Sequence, residues 1–485
     1  MRYGTSAGRW VLVATIVGSS MAALDSTVVN VALPAIGKDL HAAVAGLQWL
    51  LSGYLVTLCA LLLLGGSLGD LYGRLRLLRL GAVWFATASL LCALAPDLGA
   101  LLAARALQGI GGALLVPGSL AIVQASFVEE DRSRAIGAWS GLGGIAAAIG
   151  PVVGGWLVQA ASWRLIFVLN LPLALAVLVA SRHLPEARDE DGAPAVDVAG
   201  AVLATLGLSS GTYALIEGSS ASAWRAVALG AGALAIVALI GFVLVERRSA
   251  HPMLPLAVFS SRQFSAANVT TLAVYGALGA AFFLLAVDLQ QVLGYTPADA
   301  GASLLPVTAI LLALSASAGR LAARIGPRLP MTLGPLIVAA GLLLMRRIGP
   351  GAGYLTGVLP AVVVFGLGLA LTVAPLTSAV LTAVDASRVG VASGVNNTAA
   401  RLASLVAVAL LPALAGLSGT AYLDPSRFSA GFHAAVTIAA GLCALGGLAS
   451  FVGIRDAAGT GGGEVPARRF ACPVDGPGPG RDSRI

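Results

Sequence analysis

Fourteen stretches of about twenty apolar residues recur along this chain, at 10–32, 47–68, 77–95, 99–125, 135–159, 164–181, 198–217, 225–245, 266–290, 302–323, 330–347, 355–380, 393–417 and 431–453. A helix rising 1.5 Å per residue needs about 20 such residues to cross the hydrocarbon of a bilayer. Inside hydrocarbon every backbone N–H and C=O must be satisfied by the protein itself, which for runs of this length means helices. The chain is therefore predicted to be an all-α polytopic membrane protein. Its make-up agrees: 58% of its 485 residues are hydrophobic and 11% are charged, against about 25% charged in soluble chains.

An even number of spans puts both termini on one side, and the positive-inside rule selects that side. With a cytoplasmic N-terminus, the cytoplasmic segments hold Arg2, Arg9, Arg74, Arg76, Arg79, Arg132, Arg134, Arg182, Arg188, Arg247, Arg248, Arg262, Arg320, Arg324, Arg328 and Arg388. The opposite side holds only Lys38, Arg164, Arg225, Arg346, Arg347 and Arg427, of which Arg346–Arg347 run against the trend. The expected location is a cell membrane, crossed many times, with both termini cytoplasmic. The net charge of +7 thus reports topology, and no nucleic-acid partner is expected. The expected divisions are a cytoplasmic N-terminus (1–9), a six-helix bundle (10–181), a polar acidic linker (182–197), two inserted helices (198–245), a cytoplasmic loop (246–265), a second six-helix bundle (266–453) and a tail (454–485) whose Gly, Pro and Arg content predicts disorder.

Composition also excludes chemistry. Lys38 is the only lysine, so no GxxxxGK[ST] phosphate loop exists. Cys59, Cys92, Cys443 and Cys472 are scattered, the four histidines lack metal-ligand spacing, and neither HExxH nor SxxK occurs. No catalytic residue, cofactor or metal is expected, and no cleavable leader is evident.

What remains are charges in the wrong solvent. Asp25 sits inside the first run, where a charge costs about 2.5–3.5 kcal/mol or more. It needs a partner or a wet cavity. It lies about 22 Å from Trp10 at helical rise, nearer the outer half, so an outward vestibule or a helix-packing role is open to it. Arg105, in RALQG, is about 9 Å from the outer end of its helix. It either snorkels to the interface or pairs with a carboxylate. Asp288 lies near the outer end of the ninth run. It reads either as an interfacial acid or as a site opposite Asp25. Glu217 and the tryptophans near span ends fit the interface.

Two further patterns are structural. GSLGDLYGRLR (Gly66–Arg76) follows the second run and GRLAARIGPR (Gly319–Arg328) follows the tenth. Gly66 to Gly73 and Gly319 to Gly326 share one spacing, with Ala323 standing where the first copy has Asp70. Such an echo suggests repeated halves, a transporter architecture. In the fifth run, GPVVGG gives Gly150 and Gly154 a tight-packing face and places Pro151 as a bend. Each pattern also has a plain reading, as a basic loop and a packed kink.

GSLGDLYGRLR resembles the GxLxDRxGRR loop of the major facilitator superfamily, matching at Gly66, Leu68, Asp70, Gly73 and Arg74, with Leu71 replacing a common Arg. RALQG resembles that superfamily's RxxQG segment. GPVVGG resembles its antiporter element, at Gly150, Pro151, Gly154 and Gly155. LDSTVVNVALPAI (Leu24–Ile36), SWRLIFVLNLP (Ser162–Pro172), HPMLPLAVF, LQQVLGYTPADAG and GVASGVNNTAARL look like hallmarks of the fourteen-helix drug:proton antiporters. The resemblance spans residues 10 to about 453. It implies a major facilitator fold of two six-helix bundles plus two central helices. It further implies a monomer exporting small lipophilic or cationic substrates in exchange for protons. Asp25, Arg105 and Asp288 are then the candidate proton-coupling or cavity residues, and Gly66, Asp70, Gly73 and Arg74 the conformational-switch loop. A metabolite uniporter or symporter and a self-resistance exporter of one natural product are the alternatives.

Overall fold

In the computed structural model, residues 1–184, 197–218, 225–249, 252, 254–384, 389–417 and 424–456 are described. Most of the expected linker at 182–197, Arg388, and the tail from residue 457 lie outside the described residues, as do the side chains of Asp70 and a few other helical positions.

The chain is a helical bundle: α1 Ser6–Asp39, α2 Val44–Tyr72, α3 Arg74–Leu94, α4 Leu98–Ser126, α5 Glu129–Ala160, α6 Leu165–Val168, α7 Asn170–Ser181, α8 Val198–Glu217, α9 Arg225–Arg248, α10 Arg262–Gln291, α11 Pro297–Ala302, α12 Leu305–Ile325, α13 Arg328–Leu344, α14 Leu359–Thr382, α15 Val389–Leu414 and α16 Pro425–Gly453. Among the described residues twelve helical stretches are long and apolar enough to cross a membrane. The other two predicted spans, 135–159 and 164–181, fall on α5 and on α6–α7, where the apolar stretches are shorter: Ile149–Ala160 and Leu165–Ser181.

Local chemistry sets the ends. Asp97 accepts from the Ala100 amide at 2.8 Å and Asp197 from the Gly200 amide at 2.7 Å, so a side-chain oxygen satisfies an orphan donor at each helix start. The two echoing loops end alike. Gly73 (φ 104°) separates α2 from α3, and Gly326 (φ 88°) separates α12 from α13. Both need a backbone that side-chain-bearing residues rarely adopt. The Arg346–Arg347 pair is exposed in a 3-10 turn that closes the α13 span.

Call the end of the bundle at Ser6 the near face and the end at Asp39 the far face. α1 packs on α4, α5 and α7, and α4 on α2 and α3; α10 packs on α15 and α16, and α14 on α12 and α13. These two sets meet where α1 touches α10, α2 touches α15, and α5 touches α11 and α12. The apolar core is distributed unevenly along the bundle axis. Toward the far face one cluster joins both sets, with Val28, Leu33, Leu47 and Phe167 packed with Val274, Phe283, Phe365 and Val408. Toward the near face it divides. Leu58, Phe85, Leu115 and Ile122 form one cluster, and Phe264, Met331, Leu376 and Ala392 another. Buried bonds also bridge the far side: Gln48 Nε2 donates to Val408 O (2.9 Å), and Gln290 Nε2 to Val31 O (3.0 Å). The bundle is knit at the far face and parted at the near face.

Candidate functional site

Asp25 of α1 is 1% exposed and Arg105 of α4 is 0% exposed. They form an ion pair, Arg105 Nη1 to Asp25 Oδ2 at 2.5 Å. The other carboxylate oxygen accepts from Gln108 Nε2 (2.9 Å) and from Asn170 Nδ2 (3.0 Å). Ser89 Oγ of α3 accepts from both amides, at 2.8 and 3.2 Å. Arg105 and Gln108, three residues apart, share one helix face, and Arg105 Nη1 also donates to Gln108 Oε1 at 2.5 Å. Arg105 Nε donates to Leu50 O of α2 (3.2 Å), and its guanidinium lies 4.4 Å from the centre of the Tyr54 ring. Helices α1, α2, α3, α4 and α7 thus converge on one charge pair.

This geometry selects among the readings the sequence left open. Asp25 does not face a wet cavity or an outer vestibule; it is enclosed within the first set of helices. Arg105 does not snorkel, because its charge is compensated where it stands. The arrangement also defines a chemical capability. Asp25 accepts three hydrogen bonds, and a proton arriving on it would turn an acceptor into a donor. The bonds from Arg105, Gln108 and Asn170 would weaken, and Arg105 would lose its counter-charge. Gln108 and Asn170 lay inside the quoted runs RALQG and SWRLIFVLNLP without being singled out, although each is a polar residue in an apolar stretch. Ser89 and Tyr54 carried no such signal.

GPVVGG serves two contacts rather than one. Gly150 and Gly154 pack against α1: a Cβ on Gly154 would sit 2.6 Å from Val28 Cγ1, and one on Gly150 would meet Thr27. Pro151 and Gly155 belong to the other contact. A Cβ on Gly155 would collide with the Pro297 carbonyl of α11, and one on Gly301 with the Pro151 carbonyl. The far-face closure therefore depends on glycine on both helices.

In the loop motif, Gly66 sits near Pro117, with space for ordinary contact, and Gly73 supplies the positive φ described above. Arg74 opens α3. The Asp70 side chain lies outside the described residues. In the second copy, which has no acid at Ala323, Asp456 Oδ1 accepts from the Arg328 amide at 3.1 Å.

Asp288 is 0% exposed, and among the described residues neither carboxylate oxygen has a hydrogen-bond partner. It is not interfacial. Nor does it oppose Asp25. Gln290, which reaches α1, is two residues away and so about 200° around the helix. Thr270 is 18 residues away, five whole turns, and bonds Gly446 O (3.0 Å) and Ser450 Oγ of α16. Asp288 therefore lies on the α16 side of α10. Glu217 accepts from Trp49 Nε1 at 3.1 Å, and Trp163 Nε1 donates to Asp39 at 2.9 Å, which fits anchoring at the far face.

The sequence profile of the Major Facilitator Superfamily matches residues 15–408. Among curated relatives, the tetracenomycin C resistance and export protein of Streptomyces glaucescens is 37% identical over 410 residues, 83% of this chain and 75% of its own length. Multidrug resistance protein Stp of Mycobacterium tuberculosis is 34% identical over 418 residues (85% and 77%). The puromycin resistance protein pur8 of Streptomyces alboniger is 35% identical over 428 residues (85% and 83%). Solved structures agree in fold. A bacterial homologue of the lysosomal transporter Spinster, captured inward-facing, superposes with TM-score 0.65 at 15% identity, covering 93% of this chain and 97% of that one. A D-xylose–proton symporter gives TM-score 0.65 at 14% identity (92% and 98%).

Proposed function

Because this chain belongs to the Major Facilitator Superfamily, we propose that it is a secondary transporter that expels small hydrophobic drugs or antibiotics across the cytoplasmic membrane in exchange for protons. The relatives named as resistance and export proteins support the direction and the substrate class. The observation that carries the reading is the divided core: one apolar cluster seals the far face while two separate clusters part the near face. The arginine distribution makes the near face cytoplasmic and puts both termini there. On that orientation the structure is inward-facing, ready to load from the cytoplasm. The transporter works as two six-helix bundles rocking about a central site, with α8 and α9 as the inserted pair, and acts as a monomer.

Proton exchange falls to Asp25, because protonating it would remove the charge that holds Arg105. The function test is dye accumulation in inverted vesicles. A proton gradient should drive uptake at least tenfold over empty vesicles, and an uncoupler should abolish it. Gradient-independent uptake would sink the antiport reading. Several relatives are named for a single antibiotic, so a susceptibility panel in an efflux-deficient host separates a dedicated pump from a broad one.

Asp288 is the second proton-carrying candidate. A carboxylate without a donor would be a costly charge in hydrocarbon, whereas a protonated acid there is tolerable. Asp288→Asn keeps shape and neutrality, so the protein should express and melt as wild type. Proton-to-drug coupling, read as gradient-driven accumulation, should fall by half or more. Full coupling in this variant would confine Asp288 to packing.

A further inference from the structure

Arg401 is a charge that the network around Asp25 does not use. It is the thirteenth of the 26 residues of α15 (Val389–Leu414), roughly 18 Å from either end at helical rise. No arginine side chain snorkels that far. It is half-buried, and among the described residues its only side-chain hydrogen bond, at 3.3 Å, goes to Asn397 Oδ1 one turn away on its own helix. Among the described residues it has no acidic partner. Arg105, by comparison, is matched by a carboxylate at 2.5 Å.

Its position in the fold is specific. Val408, whose carbonyl takes the bond from Gln48 of α2, is seven residues along the same helix and so on the same face as Arg401. On α2, residues 48, 52, 55 and 59 also share a face, and the helices run antiparallel. Seven residues from the Gln48–Val408 bond, Arg401 therefore comes level with the stretch Leu55–Cys59. The shared core ends at this level: Leu51 and Ala407 belong to it, and Tyr54 and Val395 belong to the separate near-face clusters. Arg401 thus stands where the shared core gives way to the two separate near-face clusters. On the α2 face opposite, Ser52 Oγ is buried without a partner.

We propose that Arg401 is the anion-recognising group of the drug site, and that the transported molecule carries a carboxylate or phenolate that seats on its guanidinium while its apolar body lies along α2. A planar fork of donors in a partly dry site suits a two-oxygen acid. A lipophilic cation would instead meet a like charge at this position. This inference rests on the export reading and narrows its substrate class, against the expectation of cationic drugs.

The experiment uses the full-length protein, with a fluorescein-type carboxylate dye and ethidium as probes. Dye binding to the purified protein is measured by fluorescence polarisation, and transport in inverted vesicles. Wild type should bind and move the carboxylate dye. Arg401→Gln should raise its Kd at least tenfold, Arg401→Lys should recover part of the affinity, and ethidium should be unaffected. A wild type that binds and moves only ethidium overturns the inference and leaves export standing. Equal loss of both dyes in Arg401→Gln, with a wild-type gel-filtration profile, also overturns it, since the arginine would then be structural. Arg401-dependent binding of the carboxylate dye without transport of either dye supports the site and overturns export.

Discussion

Arg105→Ala should abolish gradient-driven export and destabilise the protein by about 3–5 kcal/mol, the usual result of removing one partner from a buried ion pair. The substitution leaves Asp25 enclosed at 1% exposure with two amide donors and no positive charge. It also strips a donor from Leu50 O and Gln108 Oε1 and removes the cation stacked on Tyr54. The measurement is thermal unfolding in detergent beside vesicle transport. A double variant separates stability from mechanism. Asp25→Leu with Arg105→Met replaces the pair by apolar groups of similar size and should recover most of the lost stability, as buried pairs exchanged for hydrophobes commonly do. It should remain inactive for transport. Activity in the double variant would remove the pair from the coupling mechanism and leave it a packing element.

Gly155→Leu should hold the far face open. Its added side chain would collide with the α11 backbone at Pro297, and α5 and α11 cannot then close. In a cysteine-free background, Val31→Cys is the reporter, since Val31 is 1% exposed where Gln290 of α10 bonds its carbonyl. An impermeant thiol reagent applied from outside should label it at least tenfold faster in Gly155→Leu, and transport should stop. Gly154→Leu provides the contrast. Its collision is with Val28 of α1, within one set of helices. It should lower the melting temperature without exposing Val31. Equal labelling in the two variants would mean that the glycines share one role.

Twelve of the fourteen expected spans were legible because apolar length is dictated by bilayer thickness, and the Asp25–Arg105 pair was legible because hydrocarbon makes isolated charges expensive. Two intramembrane charges of opposite sign on nearby helices constrain each other before any coordinates exist. Ser89 was not legible. A serine in an apolar helix satisfies itself on the preceding turn and costs little, so it carries no positional signal. Asp288 was legible as an anomaly but not in direction. Whether a residue faces α1 or α16 depends on the rotation of α10 about its axis, which packing against several neighbours decides. GPVVGG showed one small-residue face in the sequence. Its second face is defined by Gly301 on a helix about 150 residues later, a pairing that no local pattern announces. Arg401 stood in a quoted run, yet its lack of an acidic partner is a property of the assembled bundle.

The pair α8–α9 covers the seam where α2 meets α15. α8 packs on both, and α9 packs on α8 with Leu229, Ile236 and Val237 more than 60% exposed. Its attachment is lopsided: Glu217 takes the Trp49 indole bond, and Tyr213 lies 6.2 Å from the Trp49 ring, both reaching α2. The pair is therefore fastened to α2 more than to α15, and it covers the seam between them. The seam along α5 and α12 has no comparable cover among the described helices. On the proposed inward-facing reading, an amphiphile from the inner leaflet would have one open seam to enter by rather than two, so the bilayer would become a supply route with a defined orientation.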